Sequence, residues 1–401
     1  MHPSEARIDL DALRANADLA TRLAGSREVI AVVKADAYGH GAIPVARALV
    51  DAGCRRLAVH TVQEGVVLRD AGITVPVLVL AGARDASEAA RAVARDLTAA
   101  IHHRESLDLV VSAARAARAS GAANSRTRVH VEVDTGMHRM GVAASAAAEL
   151  LREAAGCDAL EVEGVFTHFA CADEPDLGPS LAQIARFRDV LSQARSLGVA
   201  PPLVHAANSA ALMVGAPLAD ALPEATAVRP GLMLYGVRPA PHLAGALQPV
   251  MTLRATVLAV RSVAAGDTVG YGGAFTAPAG GTRVATLSVG YADGIPRSAG
   301  GRGHVFLAGG RRAIVGRVSM DSIAVDVGTA HVKVGDEAVV FGRCRVGARG
   351  DDGADDAGGP GDAAGISVED AATAAGTLAY ELLVRVGSRV PRTLVGGACR
   401  A

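Results

Sequence analysis

One lysine in this chain stands where apolar sequence ends and glycines begin: Ala31-Val32-Val33-Lys34-Ala35-Asp36-Ala37-Tyr38-Gly39-His40-Gly41. Desolvating an ammonium is costly and burial lowers its pKa, which suits a Schiff-base lysine or a proton-transfer base. A lysine that snorkels past a strand end has the same local sequence. Other polar residues punctuate apolar runs in the same way: His168 after Leu160–Thr167, Asn208-Ser209 after Leu203–Ala207, and Arg229-Pro230-Gly231 after Ala227-Val228. Taken singly, His168 reads as a satisfied core histidine, Arg229 as a salt-bridge partner and Ser209 as a helix cap. Further on, Val269-Gly270-Tyr271-Gly272-Gly273, Gly290-Tyr291-Ala292-Asp293-Gly294 and Arg317-Val318-Ser319-Met320-Asp321 set two of the five tyrosines and a methionine in polar or glycine-rich bends.

The elements that must position these residues can be read from apolar runs. Strands are predicted over Val29–Lys34, Arg56–His60, Val75–Ala81, Leu97–Ile101, Arg128–Asp134, Leu160–His168, Leu203–Ala206 and Ala227–Arg229, mostly with helices between them. Val-rich strands that alternate with helices form parallel sheets. Eight of them before residue 240, with no G-x-G-x-x-G after an early strand, favour a (β/α)8 barrel. Active residues of such barrels collect at the C-terminal strand ends, and phosphate is commonly held after the last two strands. That rule brings Lys34, His168, Ser209, Arg229 and the Gly231 amide to one mouth. Ile8–Leu23 reads as a leading helix capped by Asp9 or Asp11.

Prolines near Val237–Pro241 mark a change of pattern, and Leu253–Val263, Arg283–Val289, His304–Phe306, Arg312–Arg317, Ile323–Val327 and Glu337–Phe341 follow as strands. The expected architecture is an α/β chain with an N-terminal (β/α)8 barrel over 1–238 and a mostly antiparallel β domain over 239–401. A Gly/Asp-rich stretch, Arg349–Gly365, cannot bury a core and reads as an exposed loop, and Ser367–Gly387 as a helix with a last ordered segment.

Composition narrows the function. At 401 residues, half of them hydrophobic, the chain can fill two cores. A formal charge of −1, 3% aromatics and no Trp give no footprint for nucleic acid or an anionic membrane, so a small-molecule substrate is expected. Met1–Leu10 has no apolar signal segment and no run is long enough to span a bilayer, so a cytoplasmic protein is expected. Five scattered cysteines without a C-x-x-C pair indicate neither a disulfide framework nor a metal site.

These motifs together resemble the alanine racemases, pyridoxal-phosphate enzymes of fold type III. The resemblance runs through Ala31–Gly41, Val133-Asp134-Thr135-Gly136-Met137-His138-Arg139-Met140-Gly141, Phe166-Thr167-His168-Phe169, Asn208-Ser209, Arg229–Gly236, Val269–Gly273, Gly290–Gly294, Gly316–Asp321 and Tyr380-Glu381. It implies pyridoxal 5'-phosphate as cofactor, alanine as substrate and a homodimer with shared active sites. Lys34 would carry the cofactor and act as base on the D face. Tyr271 from the partner chain would serve the L face, assisted by His168 beside Arg229, which would contact the pyridine nitrogen. Tyr38, Asn208, Ser209, Gly231, Leu232 and Tyr380 would surround the phosphate end. Arg139 and the Met320 amide would bind the substrate carboxylate, with Tyr291 narrowing the entrance. Many family members have a carbamylated lysine where this chain has Glu132, so Glu132 is expected to orient Arg139 directly. The implied role is supply of D-alanine for peptidoglycan. Two other readings stand beside it: a racemase of serine or of broader specificity, and a non-catalytic pyridoxal-phosphate carrier, against which the second domain counts.

Overall fold

The computed structural model describes residues 3–121, 126–343 and 365–396. All but the last residue of the Gly/Asp-rich stretch 349–365 lies outside the described residues. The chain opens with strand β1 (Ser4–Asp9) and helix α1 (Leu10–Ala24). The predicted helix over Ile8–Leu23 thus starts two residues late. Ile8 is a strand residue, and the Asp9 carboxylate accepts from the Asp11 and Ala12 amides as N-cap.

β2 (Glu28–Val32), β3 (Arg56–Val59), β4 (Val77–Val79), β5 (Thr98–Ile101) and β6 (Thr127–Asp134) follow, then the two-residue β7 (Val142–Ala143), β8 (Leu160–Phe166), β9 (Leu203–His205) and β10 (Ala227–Val228). Apart from β7, which pairs only with the end of β6, these are the eight predicted strands. Each pairs in parallel with its neighbours, β5 with β6 and β10 with β2 included, so the barrel closes. Their residues are mostly Val, Ala, Leu and Ile because helices cover the outer face and side chains fill the inside.

Residues 236–250 connect the barrel to the second sheet without regular structure. Asn16 of α1 pins this connection, donating to the Leu234 and Gln248 carbonyls and accepting from the Gln248 amide. β11 (Met251–Val263) is followed by the hairpin of β12 (Thr268–Val269) and β13 (Phe275–Thr276). Then come β14 (Thr282–Leu287), β15 (His304–Leu307), β16 (Gly310–Val315), β17 (Ile323–Asp326), β18 (Glu337–Arg343), β19 (Gly365–Ile366) and β20 (Arg392–Val395). Strands β11, β14, β17, β16, β15 and β18 close on themselves, and every pairing among them is antiparallel. β1 lies between β11 and β20, so the first strand of the chain belongs to the second sheet. The region read as a helix with a last ordered segment over Ser367–Gly387 holds two helices, Val368–Ala375 and Ala379–Arg385, separated where Gly376 turns left-handed.

The apolar core does not divide at the change of sheet. One cluster joins α1, β2 to β4 and β10 to the second sheet, and the other fills the β5, β6, β8 and β9 side of the barrel with its helices.

Candidate active site

Lys34 follows β2 at the C-terminal mouth of the barrel. The chain then turns in an unusual way: Ala35, Asp36, Ala37 and Tyr38 all adopt φ between 52° and 55°, a left-handed turn built from non-glycine residues. Each costs about 1–2 kcal/mol against the right-handed form. Several bonds hold them there. Ala35 N–H donates to Glu64 Oε1 at 2.7 Å, and Glu64 Oε2 accepts from the His60 and Thr61 amides. Asp36 Oδ1 accepts from the Ala42 amide at 2.6 Å, and His40 Nδ1 lies 3.0 Å from both the Ala37 and Tyr38 carbonyls. The Gly39 carbonyl accepts from Arg392 of β20. Gly39 itself, at φ +81°, packs so closely that a Cβ would come 2.5 Å from the Leu383 carbonyl oxygen.

A cavity of about 470 Å³ opens beside Lys34. Lys34, Tyr38, Glu132, Arg139, His168, Asn208, Ser209, Arg229, Gly231, Leu232 and Tyr380 all line it. His60, Leu80, Met140 and Phe166 line it too. His60 and Leu80 directly follow β3 and β4, so the strand-end rule, applied to every strand, would have found them. Among the described residues that line it, three basic side chains, Lys34, Arg139 and Arg229, face one carboxylate, Glu132, and the cavity therefore favours anions.

Burial, then the charges of Arg139 and Arg229, lower the Lys34 pKa from its ordinary value, while Glu64 opposes the shift. His168 is depressed to about 3 by burial and by Arg229, Arg139 and Lys34, so its imidazole is neutral at physiological pH. Arg229 Nη2 lies 3.3 Å from His168 Nδ1 and also donates to the Thr167 carbonyl at 2.7 Å. Its guanidinium carbon sits 4.9 Å from the Phe166 ring centre. Burial brings Arg229 down to about 10, which leaves it charged at neutral pH.

The far end of the cavity is a cradle of small and hydroxyl groups. Ser209 Oγ accepts from the Gly231 amide at 2.9 Å and the Met233 amide at 3.2 Å, which leaves the hydroxyl proton to donate elsewhere. Asn208 Oδ1 caps the helix Ser209–Val214 by accepting from the Ala211 amide. A Cβ on Gly231 would stand 2.4 Å from Tyr38 Oη, so only glycine leaves the phenol its place. Burial raises the Tyr38 phenol well above its usual range and Tyr380 to about 12, and both stay protonated donors. Permanent cations, neutral hydroxyl donors and a lysine of lowered pKa fit an aldehyde-bearing phosphate ester.

Glu132 is buried, and its carboxylate lies 3.0 Å from His102 Nδ1. Among the described residues no ion pair joins it to Arg139, although the two line one cavity. The expected direct pairing is therefore replaced by a contact with His102, the residue after β5, which sequence reasoning overlooked.

Tyr271, Tyr291 and Met320 stand apart from this cavity. Tyr271 is at the tip of the β12–β13 hairpin and 69% exposed; Met320 is 53% and Tyr291 44% exposed. The Tyr291 and Met320 bends are zipped together by Tyr291 N–H to the Ser319 carbonyl and Ala292 N–H to the Met320 carbonyl, each 3.0 Å. Arg389 clamps both, pairing bidentately with Asp293 at 2.7 and 2.9 Å and with Asp321 at 2.8 Å.

Closed barrel, mouth lysine and antiparallel second sheet define a barrel enzyme whose cavity, lined by Lys34, Arg139 and Arg229, favours anions. Family models for the alanine racemase N-terminal domain and C-terminal domain match residues 8–239 and 250–359. An alanine racemase of Thermobifida fusca is 38% identical over 98% of each chain, and one of Streptomyces coelicolor 40% identical over 98% of this chain and 96% of the relative. The crystal structure of alanine racemase from D-cycloserine producing Streptomyces lavendulae superposes with a TM-score of 0.87 at 38% identity, covering 99% of this chain and 98% of that one. The Bacillus anthracis alanine racemase with bound L-Ala-P gives 0.83 at 32% identity, covering 99% and 96%. The chain belongs to the alanine racemase family. It is an enzyme of the isomerase class, in a family that depends on pyridoxal phosphate.

Proposed function

We propose that this chain interconverts L- and D-alanine by a two-base mechanism, in sites that each combine the barrel of one subunit with the second sheet of another. The observation that carries this reading is the convergence of Lys34, lowered in pKa, with Arg139 and Arg229 in one cavity. Pyridoxal phosphate, when bound, supplies an aldehyde for the substrate amine and withdraws electrons from its Cα. Tyr38, Ser209, Gly231, Leu232 and Tyr380, which line the cavity, would hold its phosphate end, and Lys34 its aldehyde end.

Arg139 orients the substrate carboxylate, helped by the Met320 amide of the partner subunit. Lys34 Nζ moves a proton on the D face; Tyr271 of the partner subunit moves one on the L face, and neutral His168, whose Nδ1 faces the Arg229 guanidinium, keeps its proton on Nε2 to donate to that phenol oxygen. Arg229, charged at neutral pH, would face the ring nitrogen of the bound cofactor, a place where a permanent positive charge would disfavour protonation and so restrain carbanionic side reactions such as transamination. Exposure of Tyr271, Tyr291 and Met320 on one chain supports the dimer. We place the enzyme in the cytoplasm, supplying D-alanine for peptidoglycan; among the described residues no helix is long and apolar enough to cross a membrane.

The test is direct. Purified enzyme loaded with cofactor should abolish the optical rotation of L-alanine, and Lys34→Ala should lower kcat by about a thousandfold or more. It should also end covalent cofactor attachment, read by mass after borohydride reduction. A variant that kept both would overturn the assignment.

A further inference from the structure

Behind the active site a line of polar side chains runs through the interior of the barrel, and the reaction as described uses only its first member. Arg229 Nη1 meets His205 Nδ1 at 2.5 Å; His205 Nε2 meets His130 Nδ1 at 2.8 Å; His130 Nε2 meets Glu163 Oε2 at 3.1 Å. Arg56 at the start of β3 donates to the same Glu163 oxygen at 2.8 Å and to Glu28 at 3.2 Å. Both histidines are fully buried.

The direction of every bond in this line is determined by its two ends. A guanidinium has only donors, so His205 Nδ1 must accept. A neutral His205 then carries its proton on Nε2 and donates to His130 Nδ1, and His130 in turn carries its proton on Nε2 and donates to the carboxylate. Neutrality follows from surroundings: burial first, then the charge of Arg229, lowers His205 well below its ordinary value. Burial likewise lowers His130, against the pull of Glu163. Burial alone would raise the Glu163 carboxyl, but the bond from His130 and the charge of Arg56 outweigh it and keep it ionised.

The packing is made for these two rings. Residue 164 is glycine, and a Cβ there would lie 2.5 Å from His130 Nδ1. Phe166 stacks on His205 with ring centres 4.9 Å apart and planes 6° from parallel. Were the proton of His205 on Nδ1, two donors would face each other at 2.5 Å and Arg229 would have to move.

We propose that Glu163 is a positioning residue for Arg229, fixing through the tautomers of His130 and His205 the acceptor that holds the guanidinium in the cavity. The proposal rests on the reading of Arg229 given above. Its test uses the full-length enzyme labelled with 15N-histidine, with and without pyridoxal phosphate, read by long-range proton–nitrogen correlation. In the natural sequence both His130 and His205 should show Nε2–H tautomers with Nδ1 unprotonated, whether or not cofactor is present.

Glu163→Gln should lose that uniform pattern at His205 and raise transamination per racemisation turnover by about tenfold or more. Protonated Nδ1 at His205 in the natural enzyme would overturn the proposal, even if the variant did not fold. So would a Glu163→Gln enzyme with unchanged tautomers, whatever its kcat, or one with changed tautomers and an unchanged side-reaction ratio. Arg229→Gln separates the two readings: an unchanged ratio there sinks the role of Arg229, while the histidine signature of the cofactor-free enzyme still decides the line from Glu163 to His205.

Discussion

At the scale of single residues, the cavity is governed by an excess of cations over carboxylates, and among the described residues Glu132 is the one carboxylate lining it. Its charge acts on Arg229, which it stabilises, and its carboxylate contacts His102. Glu132→Gln is expected to raise KM for alanine by roughly tenfold, equivalent to about 1.4 kcal/mol, as the negative charge that stabilises Arg229 is lost. Steady-state kinetics on the two enzymes checks this, and unchanged KM and kcat would remove Glu132 from the substrate site. The types of the lining residues were legible in sequence because strand ends in a barrel converge: Lys34, His168 and Arg229 each follow an apolar run. His205, His130 and Glu163 were not legible as a set, since strand residues that point inward look like any polar residue in a strand until the register of β6, β8 and β9 is known.

The element that decides the position of Lys34 is the left-handed turn Lys34–Gly39. Nothing in Ala-Asp-Ala-Tyr announces such a conformation, because these residues favour right-handed structure and only tertiary bonds reverse the preference. Glu64 supplies one of those bonds, to the Ala35 amide, from the first turn of the helix Val62–Asp70, where it also accepts from the His60 amide and completes a capping box with Thr61. Glu64→Ala should leave the Ala35, His60 and Thr61 amides without their acceptor, lowering stability by about 2–4 kcal/mol in chemical denaturation and kcat with it. The same turn carries a pH signature. His40 is fully buried with its pKa depressed to about 4 by burial, against about 6.5 in the unfolded chain. Between those values the unfolded state binds the extra proton, so stability is complete above pH 6.5 and falls as the pH drops toward 4. His168, depressed to about 3, acts in the same sense. Each should cost about 2 kcal/mol between pH 7 and 5, read from denaturant midpoints of cofactor-free enzyme; midpoints that do not fall would mean that these imidazoles are already charged.

For the whole molecule, the arrangement of exposed tyrosines makes a sharp prediction. Chains carrying Lys34→Ala and chains carrying Tyr271→Ala should each be inactive alone. If sites are shared between subunits, a heterodimer of the two restores one intact site, and an equal mixture refolded together should recover about a quarter of natural activity. Recovery indistinguishable from zero would place both bases in one chain. The fold class and eight barrel strands could be read from alternating apolar runs, and six strands of the second sheet from turns between them. β1 could not: Ser4–Asp9 has only Ala6 and Ile8 as apolar residues, and its partners at Met251–Ala255 and Arg392–Val395 lie hundreds of residues away in sequence. That placement has a consequence for synthesis. β1 has no partner in the second sheet until β11 emerges from the ribosome, and its other edge stays open until β20 is made. At 5–20 residues per second, β1 waits on the order of ten seconds to a minute as an unpaired edge, while the barrel it is tethered to can already close. Completion of the second sheet therefore joins β1 to β20, and deletion of either strand removes a neighbour from the other.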